Sequence, residues 1–147
     1  MKLSTKIRYG ARAMLELASH VGEGPVDLKE IAKRQDISIK YLEQVMIPLR
    51  TAGLVKSTRG AKGGYVLAKS PSEISLDDVV NTLEGPLYLV DCVGEPKACK
   101  KSSRCVTRDI WQDVSRALHG VLKSITLEEM VRRKIEKENS DSPVYQI

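Results

Sequence analysis

Short apolar stretches separated by polar turns occupy the first third of the chain and predict three helices. In the first, apolar residues recur at helical spacing after Ser4, and the pattern ends near Gly22. A second helix is predicted over residues 28–35, and a third follows the capping residue Ser38 and stops at Gly53. Two short helices joined by a tight turn are typical of a helix-turn-helix, whose second helix enters the major groove of DNA.

Two β-prone runs, residues 54–57 and 65–67, follow the third helix and predict a hairpin. The tip between them, residues 58–64, is rich in glycine and carries the cations Arg59 and Lys62. A slim tip can approach the minor groove of DNA, and an arginine side chain suits a narrow, electronegative groove. The alternatives are a solvated hairpin or a phosphate-binding loop, although the glycine-lysine spacing of such a loop is absent. We therefore predict a DNA-contacting wing.

The second half of the chain is predicted to hold three further helices. The first begins at Ser75 and ends at Glu84, before a Gly-Pro pair. A long helix spans about residues 107–124, and the last runs from Thr126 to Ile135. The remaining residues are expected to form a mobile tail.

These elements predict a mainly α fold in four parts. Residues 1–84 are expected to form a winged helix-turn-helix domain with a small β-hairpin wing, and residues 85–106 a cysteine-bearing loop. Residues 107–135 are expected to form dimerisation and docking helices, and residues 136–147 a flexible tail.

The long predicted helix carries an apolar stripe that is too wide for one narrow seam. One face of this helix can cover its own domain while the other pairs with a second copy of the chain. The residues expected to line or border that dimer interface are Trp111, Val114, Leu118 and Val121.

Charge is distributed unevenly along the 147 residues, whose formal net charge is +5. Residues 1–70 contain 13 Lys and Arg against 6 Asp and Glu, a net charge of +7, whereas residues 71–147 contain 11 against 13, a net charge of −2. The first half is therefore the candidate polyanion-binding half. With no apolar run long enough for a membrane helix and no export signal, we expect a cytoplasmic protein. We expect no enzyme, because no catalytic Ser/His/Asp or Cys/His arrangement is found.

All three cysteines fall between positions 92 and 105. An odd number of cysteines in a chain without an export signal argues against a disulfide framework and favours thiolate chemistry or metal binding. Their spacing, C-x6-C-x5-C, is wider than the pairs of structural zinc sites. Lysines and arginines between them fit an anionic iron–sulfur cluster, and the alternative is three ordinary thiols.

Several segments together resemble the IscR-type winged-helix regulators, bacterial transcription factors that sense iron–sulfur clusters. The matching segments cover nearly all of residues 1–131: KLSTKIRYGARAML, ISIKYLEQVMIPLRTAGLV, STRGAKGGYVLAKSPSEISLDDVV, the grouped cysteines, and CVTRDIWQDVSRAL running into SITLEEMV. The resemblance implies a homodimer that binds a near-palindromic double-stranded operator and holds a cluster, with 2Fe–2S favoured over 4Fe–4S. It leaves open whether the protein is a repressor or an activator.

The resemblance also implies roles for individual residues. The ligands it implies are Cys92, Cys99 and Cys105. The residues it places at the DNA surface are Ser38, Lys40, Tyr41, Glu43, Gln44, Arg59 and Gly60. Lys62 is predicted at the same surface as a cation of the wing tip. Side-chain chemistry agrees with these roles, because Gln can pair with adenine while Lys and Tyr suit guanine edges or phosphate.

This chain departs from the family at the fourth ligand, which completes the coordination of the cluster beside the three cysteines. Some members use a histidine three residues after the third cysteine, and here that residue is Arg108. Others use an aspartate from the first helix of the other subunit, and here that residue is Arg8. Arginine is effectively always protonated and is not an ordinary ligand. The remaining candidates are a carboxylate from Asp91, Glu95 or Asp109, an exogenous water or thiol, or a residue of the partner subunit, and Asp109 lies nearest the vacated position.

The sequence thus predicts a homodimeric transcriptional regulator whose operator binding depends on cluster occupancy and which controls cluster biogenesis or related iron and redox genes. One alternative is a cluster-free regulator of cysteine metabolism with the same fold. The other is a cluster-carrying redox protein, which would leave the positive first half unexplained.

Overall fold

The computed structural model describes residues 2–141, which form a mainly helical fold with one small antiparallel sheet. In this part of the chain no helix is long and apolar enough to cross a membrane. The helices and strands are α1 (Thr5–Ser19), α2 (Leu28–Gln35), α3 (Ile39–Thr51), β1 (Val55–Thr58), β2 (Gly64–Leu67), α4 (Leu76–Glu84), α5 (Asp91–Gly94), α6 (Val106–Ser124) and α7 (Leu127–Asp141).

Hydroxyl caps fix where several of the helices begin, as the sequence predicts. The Ser4 hydroxyl accepts a hydrogen bond from the Ile7 amide, and the Ser38 hydroxyl accepts one from the Tyr41 amide. Ser75 forms a reciprocal capping box with Asp78 at the start of α4. These local bonds satisfy amides that have no partner within the helix, so they fix the residues at which α1, α3 and α4 begin.

The core lies where α1, α3 and α4 pack together, and it is built from aliphatic and methionine side chains because the chain has no phenylalanine. Met14, Leu42, Met46 and Leu49 are fully buried there. Leu127 of α7 is also fully buried in this core, which anchors the last helix on the winged-helix domain. Burial of these side chains is the main term that holds the recognition helix α3 in place.

The β-hairpin is fixed to the domain by a second set of backbone bonds. Strands β1 and β2 pair from Val55 opposite Leu67 to Thr58 opposite Gly64. Val26, just before α2, exchanges two backbone hydrogen bonds of 2.9 Å with Tyr65. Gly64 is required at this junction, because a Cβ there would lie 2.2 Å from the Val26 carbonyl oxygen. The wing therefore has a defined position relative to the helix-turn-helix.

The last helix is longer than the sequence pattern predicts. We expected helix to stop at Ile135 and a tail to follow, but α7 continues to Asp141; residues 142–147 lie outside the described residues. The physical reason is a ladder of ion pairs at helical spacing, in which Arg132 pairs with Glu129 and Glu136. Hydrogen bonds from Arg132 and Arg133 lower the pKa of Glu129 to about 2.

Candidate DNA-binding surface and cysteine loop

The outer face of α3 presents polar side chains to solvent. Lys40, Glu43 and Gln44 are exposed, while the alternating residues Leu42 and Val45 are buried in the core. This separation follows from the helical period, which places the buried and exposed residues on opposite sides of α3. The N-terminal half of α3 is therefore free to reach base edges and phosphates. Ser38, also predicted at this surface, serves as the helix cap through its hydroxyl.

Tyr41 differs from its neighbours because its ring is half-buried against α1. Its ring and that of Tyr9 meet edge to face, with centroids 5.6 Å apart and planes at 88°. The guanidinium groups of Arg8 and Arg12 lie 5.9 Å and 5.7 Å from the centroid of Tyr9. Sequence reasoning missed this cluster, although an aromatic residue flanked by arginines at helical spacing is a usable signal. Through it two cations of α1 lie beside the N-terminal half of α3.

The wing tip projects two unpaired cations. Arg59 and Lys62 are exposed, and neither forms an ion pair with any residue of the described range. Gly60 has φ +112°, a conformation that side chains rarely adopt, so the turn at the tip depends on glycine. Free cations on a slim, positioned turn fit the approach to a nucleic acid backbone or minor groove.

The three cysteines lie on a loop that connects α4 to α6. Cys92 is half-buried in α5, Cys99 is exposed, and Cys105 is half-buried directly before α6; all three are free thiols. Among residues 2–141 no three or more His, Cys, Asp or Glu side chains are arranged to hold a metal ion. The loop in this structure therefore does not bring the three sulfurs together.

The chemistry of these donors nevertheless fits a thiolate-held anionic group. Lys100, Lys101 and Arg104 line a cavity of about 560 Å³ with Cys105. The Thr107 hydroxyl lies 3.2 Å from the Cys105 sulfur and lowers the pKa of that thiol. A hydrogen bond from the backbone of Arg108 lowers the same pKa further. The donor set therefore suits an iron–sulfur cluster, provided that the loop closes to gather its sulfurs.

Arg108, which occupies the vacated ligand position, and Asp109, which follows it, have separate surroundings. The Arg108 guanidinium donates a hydrogen bond of 3.0 Å to the carbonyl oxygen of Cys92, so it holds the loop to α6. Asp109 is exposed in the first turn of α6, where a carboxylate is also stabilised by the helix dipole. Its role as a fourth ligand stays a prediction, as do those of Asp91 and Glu95, which are also exposed.

One face of α6 is apolar and uncovered in the single chain. Trp111, Val114 and Val121 are 40%, 42% and 58% exposed. Leu118 is half-buried and lines an apolar cavity of about 380 Å³ that α6 forms with α1 and α4. An uncovered row of large apolar side chains on a folded surface indicates an interaction site.

A helix-turn-helix with an exposed polar recognition helix and a cationic wing defines the class of winged-helix DNA-binding proteins. Within this class, the Rrf2 family, described as iron-dependent transcriptional regulators, matches residues 3–133. The chain belongs to the Rrf2 family. This confirms the predicted fold class and the resemblance to IscR-type regulators.

Individual relatives fall into more than one functional branch. The chain is 46% identical to the HTH-type transcriptional regulator CymR of Bacillus subtilis, covering 88% of this chain and 89% of that protein. It is 40% identical to the HTH-type transcriptional regulator IscR of Serratia proteamaculans, covering 97% and 89%. The solved structure of IscR from T. potens superposes with a TM-score of 0.78 at 43% identity, covering 97% and 93%. Overall similarity therefore does not separate the two branches.

Replacing Arg59 with alanine is expected to weaken operator binding by about 1 to 3 kcal/mol, because it removes a cation from the wing tip. The fold should be unchanged, since the side chain is exposed and forms no ion pair with residues 2–141. Fluorescence anisotropy with a labelled operator duplex measures the loss.

Arg116→Ala is the matched control, because Arg116 is an exposed arginine of α6 that pairs with Asp113. This control should bind the operator as tightly as the unaltered protein. If the binding isotherm of Arg59→Ala overlays that of the control, the wing does not belong to the DNA-binding surface.

Proposed function

We propose that this chain is a homodimeric DNA-binding regulator whose operator binding is controlled by an iron–sulfur cluster held by Cys92, Cys99 and Cys105. The observation that carries the proposal is the set of three free thiols, interspersed with cations, on one loop that leads into α6. Thiolates are the usual protein ligands of such clusters, and nearby cations offset the cluster's negative charge. A 2Fe–2S cluster is favoured, and the regulated genes would serve cluster biogenesis or related iron and redox functions.

DNA recognition in this proposal is shared by α3 and the wing. Lys40, Tyr41, Glu43 and Gln44 lie on the half of α3 that would enter the major groove, with Ser38 as its cap. Arg59, Gly60 and Lys62 would reach the adjacent minor groove from the wing tip. Arg8 and Arg12, clustered on Tyr9, add positive charge for contacts with the phosphate backbone.

Dimerisation would cover the apolar face of α6. Trp111, Val114, Leu118 and Val121 lie on that face and supply the apolar area that a stable pairing of two copies requires. A two-fold dimer presents two recognition helices, so the operator would be near-palindromic, with half-sites one helical turn or a multiple of it apart.

Cluster ligation by three cysteines leaves one position to a weaker ligand. That ligand would be a carboxylate such as Asp109, an exogenous molecule, or a residue of the partner subunit. Incomplete thiolate ligation makes a cluster easier to lose or change, which is a disadvantage for electron transfer and useful in a sensor. The loop, which must close to gather the thiols, is the part of the chain whose conformation would depend on occupancy.

A second candidate function is regulation of cysteine metabolism without a cluster. It is favoured by the 46% identity to CymR of Bacillus subtilis, which is described as the global cysteine regulator of that organism, and by the separation of the three thiols in this structure. In that case the cysteines would act as ordinary thiols and operator binding would not depend on iron.

Protein purified without oxygen distinguishes these functions. We expect coloured protein that contains iron and sulfide in equal amounts and binds promoter DNA with steep salt dependence. Colourless, iron-free protein that binds promoter DNA with the same salt dependence would favour the cysteine regulator. Coloured protein without salt-sensitive DNA binding would instead indicate a redox carrier.

A further inference from the structure

The backbone segment that leads into the cysteine loop, residues 87–92, is held to α6 at both of its ends. We call it the lead-in segment. At its end the Arg108 guanidinium donates to the Cys92 carbonyl oxygen at 3.0 Å, and at its start His119 Nε2 lies 3.3 Å from the Leu87 carbonyl oxygen. Arg108 and His119 are about three helical turns apart and therefore project from the same face of α6.

Between these two contacts the lead-in segment is held less closely. A cavity of about 430 Å³ lies between α6 and Tyr88 of this segment, and Val93, directly after the segment, also lines it. Ser115, on the same face of α6, lines this cavity, and its buried hydroxyl has no hydrogen-bond partner in the described part of the chain. The segment is thus fixed at its ends with open space beside its middle, so it can shift while α6 stays intact.

His119 also reaches into the winged-helix domain. Its Nδ1 lies 2.8 Å from Oδ1 of Asp77 in α4, a side chain that is only 4% exposed. The other carboxylate oxygen of Asp77 accepts a hydrogen bond of 3.0 Å from the side-chain amide of Asn81. The carboxylate of Asp77 and the Leu87 carbonyl thus each face one of the two ring nitrogens of His119. His119 therefore joins α4, α6 and the lead-in segment.

Helix α4 in turn packs against both α1 and the recognition helix α3. We propose that His119 is a positioning residue that links the Cys92 end of the cysteine loop to the DNA-binding half through Asp77. The inference rests on the proposed function, because it is the gathering of three thiols that would move the lead-in segment. That movement would change the contact between His119 and the Leu87 carbonyl. Through Asp77 it would also change how α4 packs against α3.

The first test measures how fast a maleimide labels Cys92 in reduced, cluster-free protein, followed peptide by peptide with mass spectrometry. A half-buried thiol reacts when its segment opens, so its labelling rate reports that opening. His119→Gln should raise the Cys92 rate about tenfold, because it removes the side chain that joins the Leu87 carbonyl to Asp77. Asp77→Asn should also raise the Cys92 rate, but by less, because Asp77 acts on the lead-in segment only through His119. The exposed Cys99 is the internal reference.

Matched controls are His20→Gln, directly after α1, and Asp113→Asn on the exposed side of α6, and both should leave the Cys92 rate unchanged. A Cys92 rate that stays unchanged in His119→Gln and in Asp77→Asn would overturn the proposal. Should His119→Gln fold poorly, Asp77→Asn alone decides, because it keeps the histidine and its contact with Leu87.

The second test compares operator affinity between cluster-loaded and cluster-free protein. His119→Gln and Asp77→Asn should bring the ratio of the two affinities close to one while the iron content per chain stays unchanged. Faster labelling with an unaltered ratio would mean that His119 only stabilises the fold, and this would overturn the link. A ratio of one in the unaltered protein would contradict the proposed function itself, while the labelling test would still decide whether His119 holds the lead-in segment.

Discussion

Replacing Cys92, Cys99 or Cys105 with alanine is expected to abolish cluster binding while leaving a folded dimer. In the proposed site each thiolate would supply one of only three strong ligands, and none of the three side chains belongs to the buried core. Absorption and circular dichroism spectra recorded without oxygen, together with iron per chain, measure the loss. Thermal unfolding of the cluster-free proteins should be unchanged.

Asp109→Ala and Ser103→Ala calibrate this result. Ser103 lies on the same loop and lines the same cavity as Cys105, so its substitution should leave the spectrum unchanged. Asp109→Ala should have a smaller effect than any cysteine change. Complete loss of the cluster in Asp109→Ala would identify the fourth ligand, whereas a cluster that survives all three cysteine substitutions would refute the sensor assignment.

Placing a glutamate at Val114 or Val121 is expected to yield monomers that bind the operator about a hundredfold more weakly or worse, because linked half-site binding is lost. Both valines are exposed on the apolar face of α6, so the substitution leaves the single chain folded. In a dimer, the same change would bury an unpaired charge at the centre of the interface. Light scattering gives the mass, and anisotropy gives the affinity.

Lys123→Glu is the control for this experiment, because Lys123 is an exposed residue on a different face of α6, beside the lead-in segment. It should remain dimeric. Retained dimer mass in both valine variants would mean that the apolar face packs only within its own subunit.

Local patterns predicted most of the fold. The hydroxyl caps at Ser38 and Ser75 and the glycine-rich hairpin depend on residues close in sequence, and the structure confirms the helices and wing that they define. The sequence pattern underestimates the length of α7 although its ion pairs are also local, because a charged stretch is equally typical of a flexible tail.

Contacts between distant residues could not be predicted in the same way. Tyr41 meets Tyr9, and His119 meets Asp77, only because the fold brings their helices together. The arrangement of the cysteine loop is beyond local pattern as well, since loop residues have no periodicity that would position three sulfurs. Sequence reasoning therefore identified the donor types, while their present separation is known only from the structure.

The most direct test of the cluster-dependent regulator is a pair of operator titrations at one salt concentration, one with cluster-loaded and one with cluster-free protein. The operator duplex is first selected from random sequences by the protein itself. We expect the two affinities to differ by about tenfold or more, the size of a typical coupling between two sites. Equal affinities for the selected duplex in the two states would contradict the account.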